Sequence, residues 1–415
     1  MLARRPHASS GLFSKTHDLS YLPPQVDIAH LHSTGKLLTE EEIATVMRCF
    51  ASDLNVKHKE VSSASGQHYT VLQLVDPQTN QARYYAVYLG EDKELGRGSF
   101  AEVRLMQALD TGAWHAVKIF QLESSAKDIS PALISSLNPF SMSSIFNLFT
   151  PPNSSMASAF SLPPTSNASQ ELDETELDSS NTTDVNCKRM QQLAKIKQEV
   201  NMLQQLQQTV GDVTVVEQNK HYVGLMLARG VKLDRLQCEC NDSLLFLRMT
   251  RKILAEFDII AAKKIIHGDI SPANIMYDRE TDTVTIIDFG SAKAISDHAS
   301  SQPVSCAPNY TAPELYETLS PNEQTEIYAL GVTIAVFGGL VKVGDSIVIV
   351  DVDNALIHDA ALRKNVLDYL YQMTHKDPTQ RPSIRAALAY FVSLELAYTQ
   401  EERAVVTSKS CGSSR

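Results

Sequence analysis

Hydrophobic positions along this chain change period several times, and each change marks an element. Ile43, Val46, Met47 and Phe50 follow Thr39-Glu40-Glu41-Glu42 at helical spacing, so residues 37–54 predict a short helix opened by Thr39. The pattern then turns β-prone. Tyr69–Val75 and Ala82–Leu89, joined by Asp76-Pro77-Gln78-Thr79-Asn80, predict a hairpin, and this whole prefix is expected to cap the N-terminal, sheet-rich half. Helical period returns with Leu193, Ile196, Val200, Leu203 and Leu206, and Glu199 borders that stripe. Further on, Tyr222–Leu227 and Val284–Ile287 read as strands, while the apolar run Gly331–Val341 reads as a buried helix. No apolar run reaches the roughly 18 residues that a membrane-spanning helix needs.

Composition narrows the function classes. The 415 residues are 43% hydrophobic, enough to bury a large core and divide into lobes. Acidic residues (48) outnumber basic ones (37) for a net charge of −11, which argues against nucleic-acid binding. Six cysteines at irregular spacing, Cys238 and Cys240 among them, read as reduced thiols rather than a disulfide frame. Met1–Lys15 is basic and lacks the apolar core of an export signal, so it reads as a disordered leader. Residues 122–188 are rich in Ser, Asn, Thr and Pro and end acidic, the composition of a disordered insertion. Inside it Ile145, Phe146, Leu148 and Phe149 form an apolar cluster that could dock a partner.

Candidate chemistry concentrates in Ile266-His267-Gly268-Asp269-Ile270-Ser271-Pro272-Ala273-Asn274, followed by Ile287-Asp288-Phe289-Gly290. Phosphoryl transfer asks a protein to orient one hydroxyl, hold Mg²⁺ against phosphates and neutralise developing charge. Asp269 fits the first task, and Asn274 and Asp288 supply the hard oxygen ligands that Mg²⁺ prefers. Upstream, Leu95-Gly96-Arg97-Gly98-Ser99-Phe100-Ala101-Glu102-Val103 lies between β-prone runs, so its glycines would let a hairpin backbone approach phosphate oxygens. Lys118, in Ala116-Val117-Lys118, follows at the distance of the next strand, and Glu199 is the carboxylate best placed to fix it.

On these motifs residues 88–398 resemble a eukaryotic-type protein kinase. The resemblance implies an α+β, bilobal fold with a β-rich N-lobe and a mainly helical C-lobe, and it implies ATP with Mg²⁺, Mn²⁺ being left open. Gly96 and Gly98 match the nucleotide-covering loop, with Leu95, Ser99, Val103 and Ala116 around it. Lys118 matches the phosphate-binding lysine, Glu199 its helical partner, Asp269 the catalytic aspartate, and Asn274 and Asp288 the metal ligands. Leu225, Met226 and Ala228 fall where the adenine would lie. Ala312-Pro313-Glu314 resembles the end of the activation segment, and Arg381 the arginine that pairs with that glutamate. The implied division is a leader and short helical extension at 1–65, an N-lobe at 66–230 containing the 122–188 insertion, a C-lobe at 231–398 and a disordered tail at 399–415.

Departures from the family pattern bear on regulation and on the acceptor. Gly268 stands where most members have the arginine that receives an activation-loop phosphate, so activity is expected without phosphorylation between Asp288 and Glu314. Ser271 and Ala307 replace the lysine and threonine that surround the catalytic aspartate, leaving Lys293 as a candidate cation. Glu326 takes the place of the aspartate that braces the catalytic loop. The implied activity is transfer of phosphate to Ser or Thr of a protein substrate; a small-molecule or atypical kinase and a nucleotide-binding scaffold remain alternatives. Ser-rich insertions and a polar tail are similar to secreted effector kinases of intracellular bacteria. That resemblance implies a cytoplasmic protein, or one delivered to a host cytosol, with oligomeric state open.

Overall fold

The structure is a computed structural model that describes residues 37–53, 55–90, 94–97, 101–123, 177–236, 242–295, 308–318, 320–343, 347–349, 356–357 and 359–412. It opens with helix α1 (Glu40–Ser52) and six strands: β1 (His58–Ser62), β2 (His68–Val75), β3 (Ala82–Tyr88), β4 (Glu94–Arg97), β5 (Ala101–Ala108) and β6 (Trp114–Gln121). Helix α2 (Leu177–Gln205) leads to β7 (Thr209–Val215), β8 (Lys220–Leu225) and β9 (Val231–Lys232). Helix α3 (Ser243–Ala262) precedes the short strands β10 (Ile265–Ile266), β11 (Ile275–Asp278), β12 (Thr283–Ile286) and β13 (Lys293–Ala294). The remainder comprises α4 (Leu315–Thr318), α5 (Glu323–Phe337), β14 (Val341–Val343), β15 (Ile347–Ile349), α6 (Ala360–Met373) and α7 (Ile384–Gly412).

The described residues fall into two compact units, one from those within 37–120, 209–213 and 222–230, the other from those within 121–123, 177–208, 214–221 and 231–412. The first is built on an eight-stranded sheet in the order β1-β2-β3-β5-β6-β8-β7, with β4 also paired to β5. Helix α1 covers this sheet as the prefix pattern predicts. Thr39 and Glu42 form a reciprocal capping box, which stabilises such a helix start by about 1 kcal/mol. The apolar stripe then brings Val46 and Phe50 onto Tyr69, Val71 and Ala86, all buried. One boundary of the sequence reading moves here: β1 pairs with β2 from His58↔Leu72 to Ser62↔His68, so the sheet begins before residue 66.

In the second unit α5 is the central element. Asn322 caps it with a box shared with Thr325, and Ile327, Leu330, Val332 and Ile334 are buried around it. Phe337 stacks on Phe246 of α3 with ring centroids 5.9 Å apart. Helix α7 packs along α3, and Tyr390 of α7 stacks on Tyr369 of α6 at 3.8 Å.

Three sequence expectations are corrected in this unit. The run Gly331–Val341 is not one helix: α5 ends at Phe337, Gly339 takes φ +66°, and Val341 starts a strand. Two adjacent glycines supply the break that hydrophobicity alone hides. Residues 177–188 belong to α2 rather than to the disordered insertion. Extending a helix whose Leu193, Ile196 and Val200 are already packed needs propagation only, so weak helix formers suffice. Residues 399–412 likewise continue α7, since no Gly or Pro interrupts the chain before Gly412. The apolar cluster at 145–149 lies outside the described residues, as do Cys238 and Cys240.

Candidate active site

The catalytic-loop candidates are held by a dense set of backbone bonds in the second unit. After β10 the chain passes His267 and Gly268 to Asp269, and a single 3-10 turn, Pro272–Asn274, folds Asn274 back. Asn274 Nδ2 then donates to the Asp269 carbonyl at 2.8 Å and to Asp269 Oδ2 at 3.0 Å. The Asn274 carbonyl accepts from Ile287 N–H at 3.0 Å, which ties the loop to the end of β12 and so to Asp288. Asp288 is exposed and left-handed (φ 63°, ψ 77°), and its side chain caps the turn Phe289–Ser291. Ser271 is buried, and its carbonyl accepts from Asn274 N–H at 3.0 Å.

Beneath the loop lies a buried column. His267 is fully enclosed, with Nδ1 accepting from Asp269 N–H at 3.3 Å and Nε2 donating to the Ile287 carbonyl at 3.1 Å. That pairing fixes a neutral imidazole, and burial lowers its pKa from the ordinary value. Phe289 packs edge-on against the ring at 4.9 Å. Glu326 of α5 accepts from His267 N–H at 2.9 Å and from Gly268 N–H at 3.0 Å, so the longer side chain performs the bracing expected of it. Burial pushes its carboxyl up to about 7, against the lowering effect of those two bonds.

Gly268 is required by its surroundings. Its φ is +79°, and a Cβ there would sit 2.7 Å from the Ser291 carbonyl oxygen. A side chain at this position is therefore barred twice, by backbone strain and by contact. A cavity of about 20 Å³, room for about one water, borders Gly268, Tyr310, Thr311, Ala312 and Glu326.

The distal pair is formed. Arg381 Nη1 and Nη2 donate to the two Glu314 carboxylate oxygens at 2.6 and 2.9 Å. Arg381 also donates to the Gln324 and His375 carbonyls at 2.7 and 2.8 Å and lies 4.9 Å from the Tyr328 ring centroid.

Glu199 is buried on α2, and Gln198 beside it donates to the Ala292 carbonyl at 3.1 Å. That bond docks α2 on the segment after Asp288, a role the sequence did not single out because Gln198 reads as any polar residue flanking a stripe. Lys293 is buried, its backbone paired with Ile266.

Within the first unit, Lys118 on β6 is paired with Val103 on β5, and Ala116 with Leu105. Lys118 Nζ stands 5.3 Å from the Phe120 ring centroid. Leu95 and Gly96 lie on β4, while Leu225 ends β8 ahead of the exposed Met226 and the half-buried Ala228. Gly98 and Ser99 lie outside the described residues, as do Ser300, Ser301, Ser305 and Ala307.

Comparison with known proteins agrees in kind with this arrangement. A family model described as the protein kinase domain matches residues 179–391. The chain is 29% identical over 221 residues to death-associated protein kinase dapk-1 of Caenorhabditis elegans, covering 47% of this chain and 15% of that protein. It is 27% identical over 150 residues to serine/threonine-protein kinase nekl-2 of the same organism, 33% of this chain and 42% of that one. Serine/threonine-protein kinase Nek8 of Danio rerio is 27% identical over 178 residues, 40% of this chain and 25% of that protein. The chain thus spans less than half the length of each of these relatives.

Proposed function

The chain belongs to the protein kinase family, and from that premise we propose that it transfers the γ-phosphate of ATP, with Mg²⁺, to a Ser or Thr hydroxyl of a protein substrate. The observation that carries this reading is the Asn274 clasp on Asp269. With Nδ2 engaged twice, Asn274 keeps its side-chain Oδ1 for a cation, and the backbone bond from Ile287 N–H to the Asn274 carbonyl ties the residue preceding the exposed Asp288 to this loop. Two hard oxygen donors of this kind fit Mg²⁺, which when bound neutralises charge on the phosphates.

Asp269, its Oδ2 already held, would accept the hydrogen bond of the acceptor hydroxyl and fix its direction. Lys118 would contact the α and β phosphates and Glu199 would fix its rotamer, while Gly96 admits the phosphates close to backbone N–H groups. Leu225, Met226 and Ala228 would border the adenine. The relatives named for serine and threonine support the acceptor class.

Incubation with labelled ATP, Mg²⁺ and generic protein substrates tests the reading. Label should enter Ser or Thr with the parent and not with Asp269→Ala. ATP binding without transfer would replace the enzyme by a scaffold, and label appearing only in a small molecule would move the acceptor class.

A further inference from the structure

Strands β3 and β4 share one partner. Tyr85, Ala86 and Val87 of β3 pair with Ala108, Gln107 and Met106 of β5, whereas β4 pairs with the other end of β5. Between them the chain leaves the ladder near Leu89 and Gly90, and the register shifts again between Glu94 and Gly96. Strand β4, which carries Gly96, is thus a short strand with an irregularity at its start and a break before it. Backbone pairing alone leaves such a segment mobile.

Side chains supply what the ladder lacks. Register places Glu94 opposite Arg104 and Arg97 opposite Glu102, so unlike charges face each other across the two strands. Arg97 Nη2 reaches Glu94 Oε2 at 2.9 Å and Glu102 Oε2 at 3.1 Å. Arg104 Nε lies 3.2 Å from Glu102 Oε1, and Nη2 lies 3.7 Å from Glu94 Oε2, which closes a ring of two cations and two anions. One corner of the ring is buried: the Arg104 side chain is 9% exposed. Its Nη1 also donates to the Leu89 and Gly90 carbonyls at 3.2 and 3.1 Å, at the break between β3 and β4. A strand position in a sheet core ordinarily takes an apolar residue, so a guanidinium here is maintained for its bonds. Its fork donates to two carbonyls through Nη1 and to Glu102 Oε2 through Nη2 at 3.3 Å, with Glu94 at ion-pair distance, a spread of acceptors that a single ammonium cannot reach.

We propose that Arg104 is a positioning residue for the nucleotide, fixing the β4–β5 hairpin in the shape that receives the phosphates. The ring has a second effect. Glu94 and Glu102 would repel a triphosphate, and the two arginines cancel that charge without occupying the phosphate site. This inference rests on the kinase reading, and the test keeps the two apart.

The experiment measures KM for ATP, kcat at saturating ATP and thermal unfolding without nucleotide for the full chain, Arg104→Met, Arg104→Lys and Glu102→Gln. Arg104→Met should raise KM for ATP about tenfold and leave kcat within about twofold, because the hairpin must be ordered at binding. Arg104→Lys restores charge without the fork and should recover less than half of that loss on a logarithmic scale. Glu102→Gln opens the ring at a half-buried corner, keeps an oxygen that can still accept from Arg104, leaves Glu94 as the remaining counter-charge, and should raise KM about threefold. Amide exchange in Arg104→Met should quicken in residues 94–97 and 102–104 by about tenfold. Unchanged KM for ATP in both Arg104→Met and Glu102→Gln overturns the proposal, as does full rescue by Arg104→Lys. A parent that binds no ATP overturns the kinase reading and this inference with it; a parent that binds ATP no better than the variants overturns this inference alone.

Discussion

Arg381 offers the most demanding test of how the C-terminal half is held together. Its side chain is 0% exposed and makes four donations: two to Glu314, one to the Gln324 carbonyl and one to the His375 carbonyl. Arg381→Met keeps the apolar stem and removes every one of them. Glu314, 20% exposed on its side chain, is then left with a largely desolvated charge, and two carbonyls lose a donor. Removing one partner of a buried pair costs about 3–5 kcal/mol, and the ring contact with Tyr328 adds to this rather than offsetting it. Urea unfolding of parent, Arg381→Met, Glu314→Gln and the double variant gives the pairwise coupling directly. The coupling should be about 2 kcal/mol, because Glu314→Gln removes the charge that Arg381→Met strands. Since Glu314 closes the segment that begins at Asp288, kcat/KM for the protein acceptor should fall more than kcat/KM for ATP. Additive single losses, or an Arg381→Met variant within about 1 kcal/mol of the parent, would refute the argument.

Three further outcomes follow from the loop. Glu326 has a folded pKa of about 7 against an ordinary 4.5, so the folded state holds its proton more tightly; the stability this contributes is fully present below pH 4.5 and is lost as pH rises through 7, about 3 kcal/mol in all. Buried His267 works in the opposite sense, favouring the fold above its ordinary value of 6.5, so the measurement is the stability of the parent minus that of Glu326→Gln, which should fall by about that amount from pH 4.5 to 8; a flat difference refutes it. Gly268→Ala forces a methyl group to within 2.7 Å of the Ser291 carbonyl at a positive φ and should cost roughly 2–4 kcal/mol by urea unfolding, while phosphatase treatment of the parent should leave its activity intact. Asn274→Ala removes both bonds to Asp269 and one oxygen donor, so the Mg²⁺ concentration for half-maximal transfer should rise at least about tenfold while Tm changes little.

How much of this was readable in advance depended on whether a residue acts through sequence neighbours. Thr39 and Glu42 cap α1 across three residues, and Leu193, Ile196, Val200 and Leu203 are buried as their period demands, so both helices were legible. Asn274 and Asp269 meet because the 3-10 turn Pro272–Asn274 folds the chain back over a separation of five positions, a spacing visible in the letters. Glu314 and Arg381 are 67 positions apart and were legible only through resemblance. The corners of the Arg104 ring alternate in charge along the chain, but nothing local says that the glycine hairpin brings them into register. The added strand β1 was missed for a similar reason, since His58-Lys59-Glu60-Val61-Ser62 carries one apolar residue and owes its place to pairing with β2.

Two departures from the family pattern, Gly268 and Glu326, are better understood as one arrangement than as separate losses. The backbone at 268 is left-handed, and this conformation points its N–H at Glu326 Oε1 while pressing its Cα toward Ser291. Any other L-residue would hold that conformation at a cost of about 1–2 kcal/mol, which glycine removes. With glycine at 268, no guanidinium stands at the position next to Asp269. What orders the loop must then come from within, and the buried contacts of Glu326, His267 and Phe289 are of that kind. A loop braced by buried groups is formed before any modification arrives.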